Sequence, residues 1–244
     1  MDSVRGKVAL VTGASKGIGR ATALRLAQDG ANMVMAATSA DLLEKVKVEL
    51  DGLGVDSIAG ICDVTQLSDC EGLVEQALDR FGRIDILVNN AGVGFSGRIV
   101  DSDPEEVARM VRVNILGVYY MTRSVLPSMI EQSSGDIVNI GSVAGLKYSP
   151  NFAIYSATKF AVRAFSEALR NEVQQQNIRV TLVHPGMTKT AFFDSFTKGG
   201  LPVPVDKGEI LRPEHIADAI YLALTRPDGV ALNEVTVRPN WQER

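Results

Sequence analysis

The sequence is poor in the side chains that most often carry chemistry: two histidines, two cysteines and one tryptophan among 244 residues. Cys62 and Cys70 have no second pair and no histidine beside them, which argues against a zinc cluster or a disulfide framework. They read as free thiols in a reducing compartment, so the expected location is cytoplasmic and no metal is expected. No apolar run approaches the ~18 residues that span a bilayer, so a membrane partner is not expected. Neither sign of charge is in excess, with 25 Lys+Arg against 29 Asp+Glu and a net charge of −4. That balance gives no reason to expect nucleic acid or an anionic lipid surface. Met1 to Arg5 reads as too short and too polar for a signal sequence, since KVALVTG follows at once.

What remains is an ordinary globular composition, 45% apolar and 22% charged, long enough to bury a large core. Internal repeats, low-complexity tracts and interdomain linkers are absent, so residues 1–244 read as a single domain. Short β-branched runs predict strands at 7–13, 32–38, 57–63, 84–90, 136–142, 179–185 and 234–239. They are apolar on both faces, as in a parallel sheet covered on both sides. Helical patterns occupy 17–30, 40–52, 67–81, 104–131, 152–175 and 214–225. Asp103 can cap the fourth of these, Pro104 suits its first position, and Glu106 completes a capping-box pattern. The alternation predicts a doubly wound α/β fold with ligands at the carboxyl ends of the strands. One long irregular segment, 187–211, has the length of a substrate-binding loop, with Phe192, Phe193 and Phe196 inside it and glycines 199 and 200 as hinges.

Two short stretches carry chemistry. The first strand runs into TGASKGIGRATA, which places Gly13, Gly17 and Gly19 at a strand-to-helix turn. Glycines there let backbone approach a pyrophosphate, and the helix N-terminus offers unpaired N–H groups; a plain tight turn would use the same residues. In YSATK, Tyr155 and Lys159 stand four residues apart, on one face of a helix. Either they ignore each other on an exposed turn, or the ammonium tunes the phenol for proton transfer.

The GxxxGxG glycines, NNAG at 89–92, Ser142 and YSATK, in that order, resemble the short-chain dehydrogenase/reductase family. The resemblance runs from the first strand to about residue 190 and implies a Rossmann fold with a seven-stranded parallel sheet and helices on both faces. It implies a catalytic set of Asn114, Ser142, Tyr155 and Lys159. Tyr155 would be the acid/base and Ser142 would orient the substrate. Lys159 would hold the nicotinamide ribose and lower the tyrosine pKa, and Asn114 would support a proton-relay water. Cofactor contacts would come from Gly13, Ser15, Lys16, Gly17, Ile18 and Gly19. Ala37, Thr38 and Ser39 would follow at the second strand end, then Asp63 and Val64 at the adenine. Asn90, Ala91 and Gly92 would run along the ribose, with Pro185, Gly186, Thr188 and Thr190 on the nicotinamide side.

A phenol serves as an acid–base catalyst near neutral pH only if its pKa falls; ~3 units corresponds to ~4 kcal/mol of preferential phenolate stabilisation. One close ammonium in a desolvated cleft, with the positive nicotinamide beside it, is of that size. The pocket for a small-molecule carbonyl or alcohol is expected from Ala144, Tyr148, Phe152, Met187 and Phe192, with Val93, Phe95, Leu146 and Phe193 nearby. NADP(H) is expected in preference to NAD(H): Ala37 stands where NAD-specific relatives carry an aspartate, and Lys16 can reach a 2′-phosphate. Thr38, where many such relatives carry arginine, makes the preference less steep. The alternatives are a 3-oxoacyl-[acyl-carrier-protein] reductase and, in another class, a non-catalytic dinucleotide-binding sensor. Against the first, carrier-docking basic positions align with neutral Ser133 and Gln176. The long helices 104–131 and 152–175 resemble those that pair subunits in the family, so a homodimer or homotetramer is expected. His184 reads as structural, His215 as solvated surface, and the methionines at 33, 35, 110, 121 and 129 as core. Trp241 reads as a frayed tail or as packing against a partner subunit.

Overall fold

Seven strands build one sheet in the order β3-β2-β1-β4-β5-β6-β7, every neighbouring pair parallel. The computed structural model describes residues 3–192, 196 and 208–242. The strands are β1 (Val8–Thr12), β2 (Asn32–Ala37), β3 (Ser57–Ile61), β4 (Ile86–Asn89), β5 (Gly135–Ile140), β6 (Ile178–Pro185) and β7 (Glu234–Val237). The described helices α1 (Gly17–Gln28), α2 (Ala40–Asp51), α3 (Leu67–Phe81), α4 (Pro104–Val111), α5 (Gly117–Gln132), α6 (Ala153–Val173) and α7 (Pro213–Leu224) cover its two faces. This is the doubly wound Rossmann architecture that the alternating sequence predicts.

The inner strands show why their sequences do not alternate. Along β1, Ala9 and Val11 pack with Leu26, Val46 and Ile220 on one face, while Val8 and Leu10 pack with Leu73, Val125 and Leu169 on the other. Each side of the sheet therefore has its own apolar core, so the inner strands are largely apolar on both faces. Burial is incomplete at the edges: Ile61 of β3 is 60% exposed, and Glu234 and Thr236 of β7 are exposed. Met33, Met35, Met110, Met121 and Met129 are all buried, as expected of core filler.

Several local expectations need correction. The helix expected over 104–131 contains a π turn, Arg112–Leu116, between α4 and α5. Asp103 does cap α4, accepting from Glu105 N–H at 2.9 Å, but Glu106 returns no bond to it. The reciprocal bond occurs at α7 instead, where His215 Nδ1 accepts from Arg212 N–H at 3.2 Å. His215 is thus a half-buried cap and not free surface. Trp241 is not frayed: its indole N–H donates to Glu209 O at 2.9 Å. Of the 187–211 loop, residues 193–195 and 197–207 lie outside the described residues, and with them Phe193, Gly199 and Gly200. Among the described residues no helix is long and apolar enough to cross a membrane.

The order of strands reverses between β1 and β4. A crevice opens there at the carboxyl ends of the sheet, where α/β folds bind ligands.

Candidate active site

A cleft of about 1280 Å³ follows that crevice from β2 to β6, larger than the ~300–1,000 Å³ of an ordinary small-ligand pocket. Its floor at the β1 end is the glycine turn. Gly13 and Gly17 have φ of 63° and 56°, the left-handed region that glycine tolerates. Gly19 is required for another reason: a Cβ there would lie 2.3 Å from Gly13 O and 2.5 Å from Asn90 Nδ2. No side chain caps α1 at Lys16, so its first N–H groups remain free beside the cleft. Ser15, Lys16, Gly17 and Ile18 line the wall here, and the site fits a pyrophosphate.

The end of β2 gives the cleft Ala37 and exposed Thr38, and Lys16, also exposed, lines the same cleft. Ser39 begins α2 without a side-chain cap bond and lies off the cleft wall. Asp63 and Val64 line the next stretch, with the Asp63 carboxylate accepting from Thr65 N–H and Oγ at 2.9 Å each. Asn90, Ala91 and Gly92 follow. The Asn90 side chain is turned inward, donating to Thr12 O at 2.8 Å and Gly13 O at 3.2 Å, so it fastens the end of β4 to β1. Although the chain is net negative, among the described residues Lys16, Arg109, Arg112, Lys147 and Lys159 line this cleft against only Asp63 and Glu106. A polyanionic ligand would find a favourable field.

Ser142, Tyr155 and Lys159 converge at the far end. The last residues of β5 carry the chain into Ser142, whose hydroxyl accepts from Ala144 N–H at 3.1 Å and is hydrogen-bonded to the Tyr155 phenol. His184 supports the serine from beneath. It is fully buried, and its Nδ1 lies 2.9 Å from Ser142 O. A carbonyl can only accept, so that nitrogen carries the proton. Burial pushes the His184 pKa below its ordinary value, which keeps the ring neutral near pH 7. The structural reading of His184 holds.

Helix α6 places Lys159 one turn after Tyr155. The ammonium donates to Ile140 O at 2.9 Å and lies 5.9 Å from the centre of the phenol ring. The chain's own groups do not by themselves lower the phenol. Burial pushes Tyr155 up to about 12, only partly offset by the Ser142 hydrogen bond, and pulls Lys159 down to about 8. The cause is an aromatic enclosure around the phenol. The rings of Phe196, Phe192 and Phe152 stand 5.1, 6.0 and 6.4 Å from that of Tyr155. Desolvation therefore outweighs an ammonium that faces the ring and a backbone carbonyl.

Asn114 sits in the π turn, a feature often found at functional sites. It is buried behind the cleft and does not line it. Its amide accepts from Val93 N–H at 2.9 Å and donates to Val93 O at 2.9 Å and Thr158 Oγ at 3.1 Å. It thereby ties the loop after β4 to α6. Pro185, Gly186, Met187, Thr188 and Thr190 line the remaining wall with Ala144, Phe152 and Phe192.

Two pocket expectations fail. Tyr148 is 85% exposed and Leu146 37%, and neither lines the cleft, because the turn before α6 carries both side chains outward. The structure adds Gln242 to the cleft wall, from a tail whose sequence gave no signal. It also adds Met110, two residues before the π turn begins.

A sheet switch point with a glycine phosphate turn and a serine–tyrosine–lysine cluster defines a dinucleotide-dependent oxidoreductase of the doubly wound class. The family model for short chain dehydrogenase matches residues 7–199. The chain belongs to that family of oxidoreductases. It is 39% identical to an uncharacterized oxidoreductase of Staphylococcus aureus (strain MRSA252), over 96% of this chain and 97% of the relative. Among solved structures it is similar to an alcohol dehydrogenase from Thermococcus sibiricus complexed with 5-hydroxy-NADP (TM-score 0.88, 33% identity, 98% of each chain). It is also similar to a 3-ketoacyl-(acyl-carrier-protein) reductase from Brucella melitensis complexed with NADH (TM-score 0.89, 33% identity, 98% of this chain and 99% of that one).

Proposed function

We propose that the protein reduces small or medium carbonyl compounds to alcohols with NADPH as the preferred donor, and runs the reverse oxidation on the same residues. The observation that carries this reading is the Ser142–Tyr155 hydrogen bond in an aromatic enclosure, with Lys159 one turn away. When bound, the nicotinamide supplies or accepts the hydride. The chain's own residues manage the oxygen and its proton.

Ser142 holds the substrate oxygen and Tyr155 gives it a proton as negative charge develops. A phenol held up to about 12 is fully protonated at neutral pH, which suits the reductive direction. Lys159, at about 8, is still largely charged at neutral pH and holds its place through Ile140 O. Its charge, 5.9 Å from the centre of the phenol ring in a dry site, stabilises the phenolate left after proton transfer. Asn114 keeps Val93 and Thr158 in register beneath this cluster. Phe152, Phe192 and Phe196 exclude water and favour a substrate with an apolar side.

The NADP preference rests on Ala37, which offers no carboxylate to repel a 2′-phosphate, and on Lys16, which lines the same cleft. Initial rates with NADPH and NADH against a panel of aldehydes, ketones, 3-oxoesters and hydroxy acids test the proposal. Failure to consume either reduced cofactor with any carbonyl would defeat it, and a strong preference for acyl-carrier thioesters would replace the substrate class.

A further inference from the structure

Beyond β7 the chain, as far as residue 242, stays against the molecule. It folds back over the nicotinamide-side loop and fastens it at two places. Gln242 Oε1 accepts from Met187 N–H at 3.0 Å, and Trp241 Nε1 donates to Glu209 O at 2.9 Å. Met187 and Glu209 belong to two strips of chain that are themselves joined. Leu211 N–H donates to Met187 O at 2.9 Å, and Lys189 N–H to Leu211 O at 2.7 Å. Gly186 N–H donates to Val237 O at 2.7 Å, continuing the β6–β7 pairing into the same junction. Arg238 braces the tail by donating from Nη1 to Gln242 O.

Two glycines make room for this arrangement. A Cβ at Gly186 would lie 2.4 Å from Gln242 Oε1 and 2.7 Å from Arg238 Cβ. One at Gly208 would lie 2.9 Å from Trp241 Cδ1, and Gly208 has a φ of 134°. Small residues thus stand on the loop side wherever the tail comes closest. Gln242 also lines the cleft itself, next to Met187.

We propose that residues 238–242 form a clamp on the nicotinamide-side loop, in which Gln242 is a positioning residue that sets Met187 and tunes productive binding of the carbonyl substrate. The proposal rests on the functional reading above, which places residues 185–190 on the nicotinamide side. The contact that matters is an acceptor on Met187 N–H, not a carboxamide as such. Any side chain of the same reach that accepts should preserve the function, and one that fills the space without accepting should lose it.

Gln242→Glu and Gln242→Met separate those cases, and Gly186→Ala pushes the tail away by a different route. Gln242→Met should raise KM for the carbonyl substrate by about fivefold to tenfold, the worth of one hydrogen bond. Its kcat should fall less, and its Tm should stay within about 2 °C of the parent. Gln242→Glu should stay within about twofold. Gly186→Ala should reproduce the Gln242→Met pattern. Trp241 is the only tryptophan, so its emission should move to the red in Gln242→Met and Gly186→Ala and stay put in Gln242→Glu. Unchanged KM and emission in Gln242→Met, or equal losses in Glu and Met variants, or a loss matched by a fall in Tm, would overturn the clamp. Turnover by the unsubstituted protein is the separate control: its absence would count against the functional reading, not the clamp.

Discussion

Lys159→Met should make the ligand-free protein more stable while abolishing its turnover. Lys159 is 6% exposed and its ammonium has one carbonyl partner, Ile140 O at 2.9 Å. Burial pulls it from 10.5 to about 8, and at ~1.4 kcal/mol per pKa unit the charged form at pH 7 costs the fold roughly 3 kcal/mol. Methionine keeps the length and fills the same space but forfeits the charge-assisted bond to Ile140, worth about 2 kcal/mol. The balance is a gain of roughly 1 kcal/mol, or about 2–4 °C in Tm for a chain of this size. The pH dependence follows from the direction of the shift. The folded lysine releases its proton near 8 and the unfolded one only near 10.5. The cost is therefore fully present below about 8, fades as pH rises between the two values, and is gone above the second. There the variant should be level with the parent or slightly weaker. Tyr155 is present in both proteins, so its own titration cancels in the difference. Urea unfolding of both proteins from pH 6.5 to 10.5 is the assay. A variant less stable at pH 7, or a difference that does not change with pH, would refute the reasoning.

Other substitutions test the cofactor end. Ala37→Asp should move the preference from NADPH towards NADH by about tenfold or more, since a carboxylate at the end of β2 repels a 2′-phosphate; kcat/KM for the two cofactors measures it. Lys16→Ala should weaken NADPH binding and leave NADH binding unchanged, so equal losses for both would show that Lys16 serves no 2′-phosphate. Gly19→Ala would place its Cβ 2.3 Å from a backbone oxygen, costing about 1–3 kcal/mol by overpacking. Chemical denaturation checks that figure, and cofactor affinity should fall with it.

Much of this architecture was legible in the sequence, because the inner strands need apolar residues on both faces and the glycine turn leaves few alternatives. Ser142, Tyr155 and Lys159 could be read together because one strand end and one helix turn bring them together. What could not be read depends on contacts between distant segments. Periodicity gave no sign of the π turn at Arg112–Leu116, since one extra residue in a turn leaves the apolar pattern nearly intact. Nothing local distinguishes Tyr148, which faces outward, from Phe152, which faces the cleft. Nothing local shows that Asn90, on the cleft wall, uses its side chain to hold β1 to β4. The phenol's raised pKa depends on Phe192 and Phe196, and Gln242 reaches the cleft only because Gly186, 56 positions earlier, leaves space for it.

The central claim is that the Tyr155 phenol gives the proton in carbonyl reduction. Its most direct test is turnover of Tyr155→Phe, which keeps the ring in its enclosure of Phe152, Phe192 and Phe196 and removes only the hydroxyl. With NADPH and the best carbonyl substrate, kcat should fall by about 10²–10⁴ while NADPH affinity and Tm change little. A variant that still reduces the substrate at close to the parent rate would contradict the account.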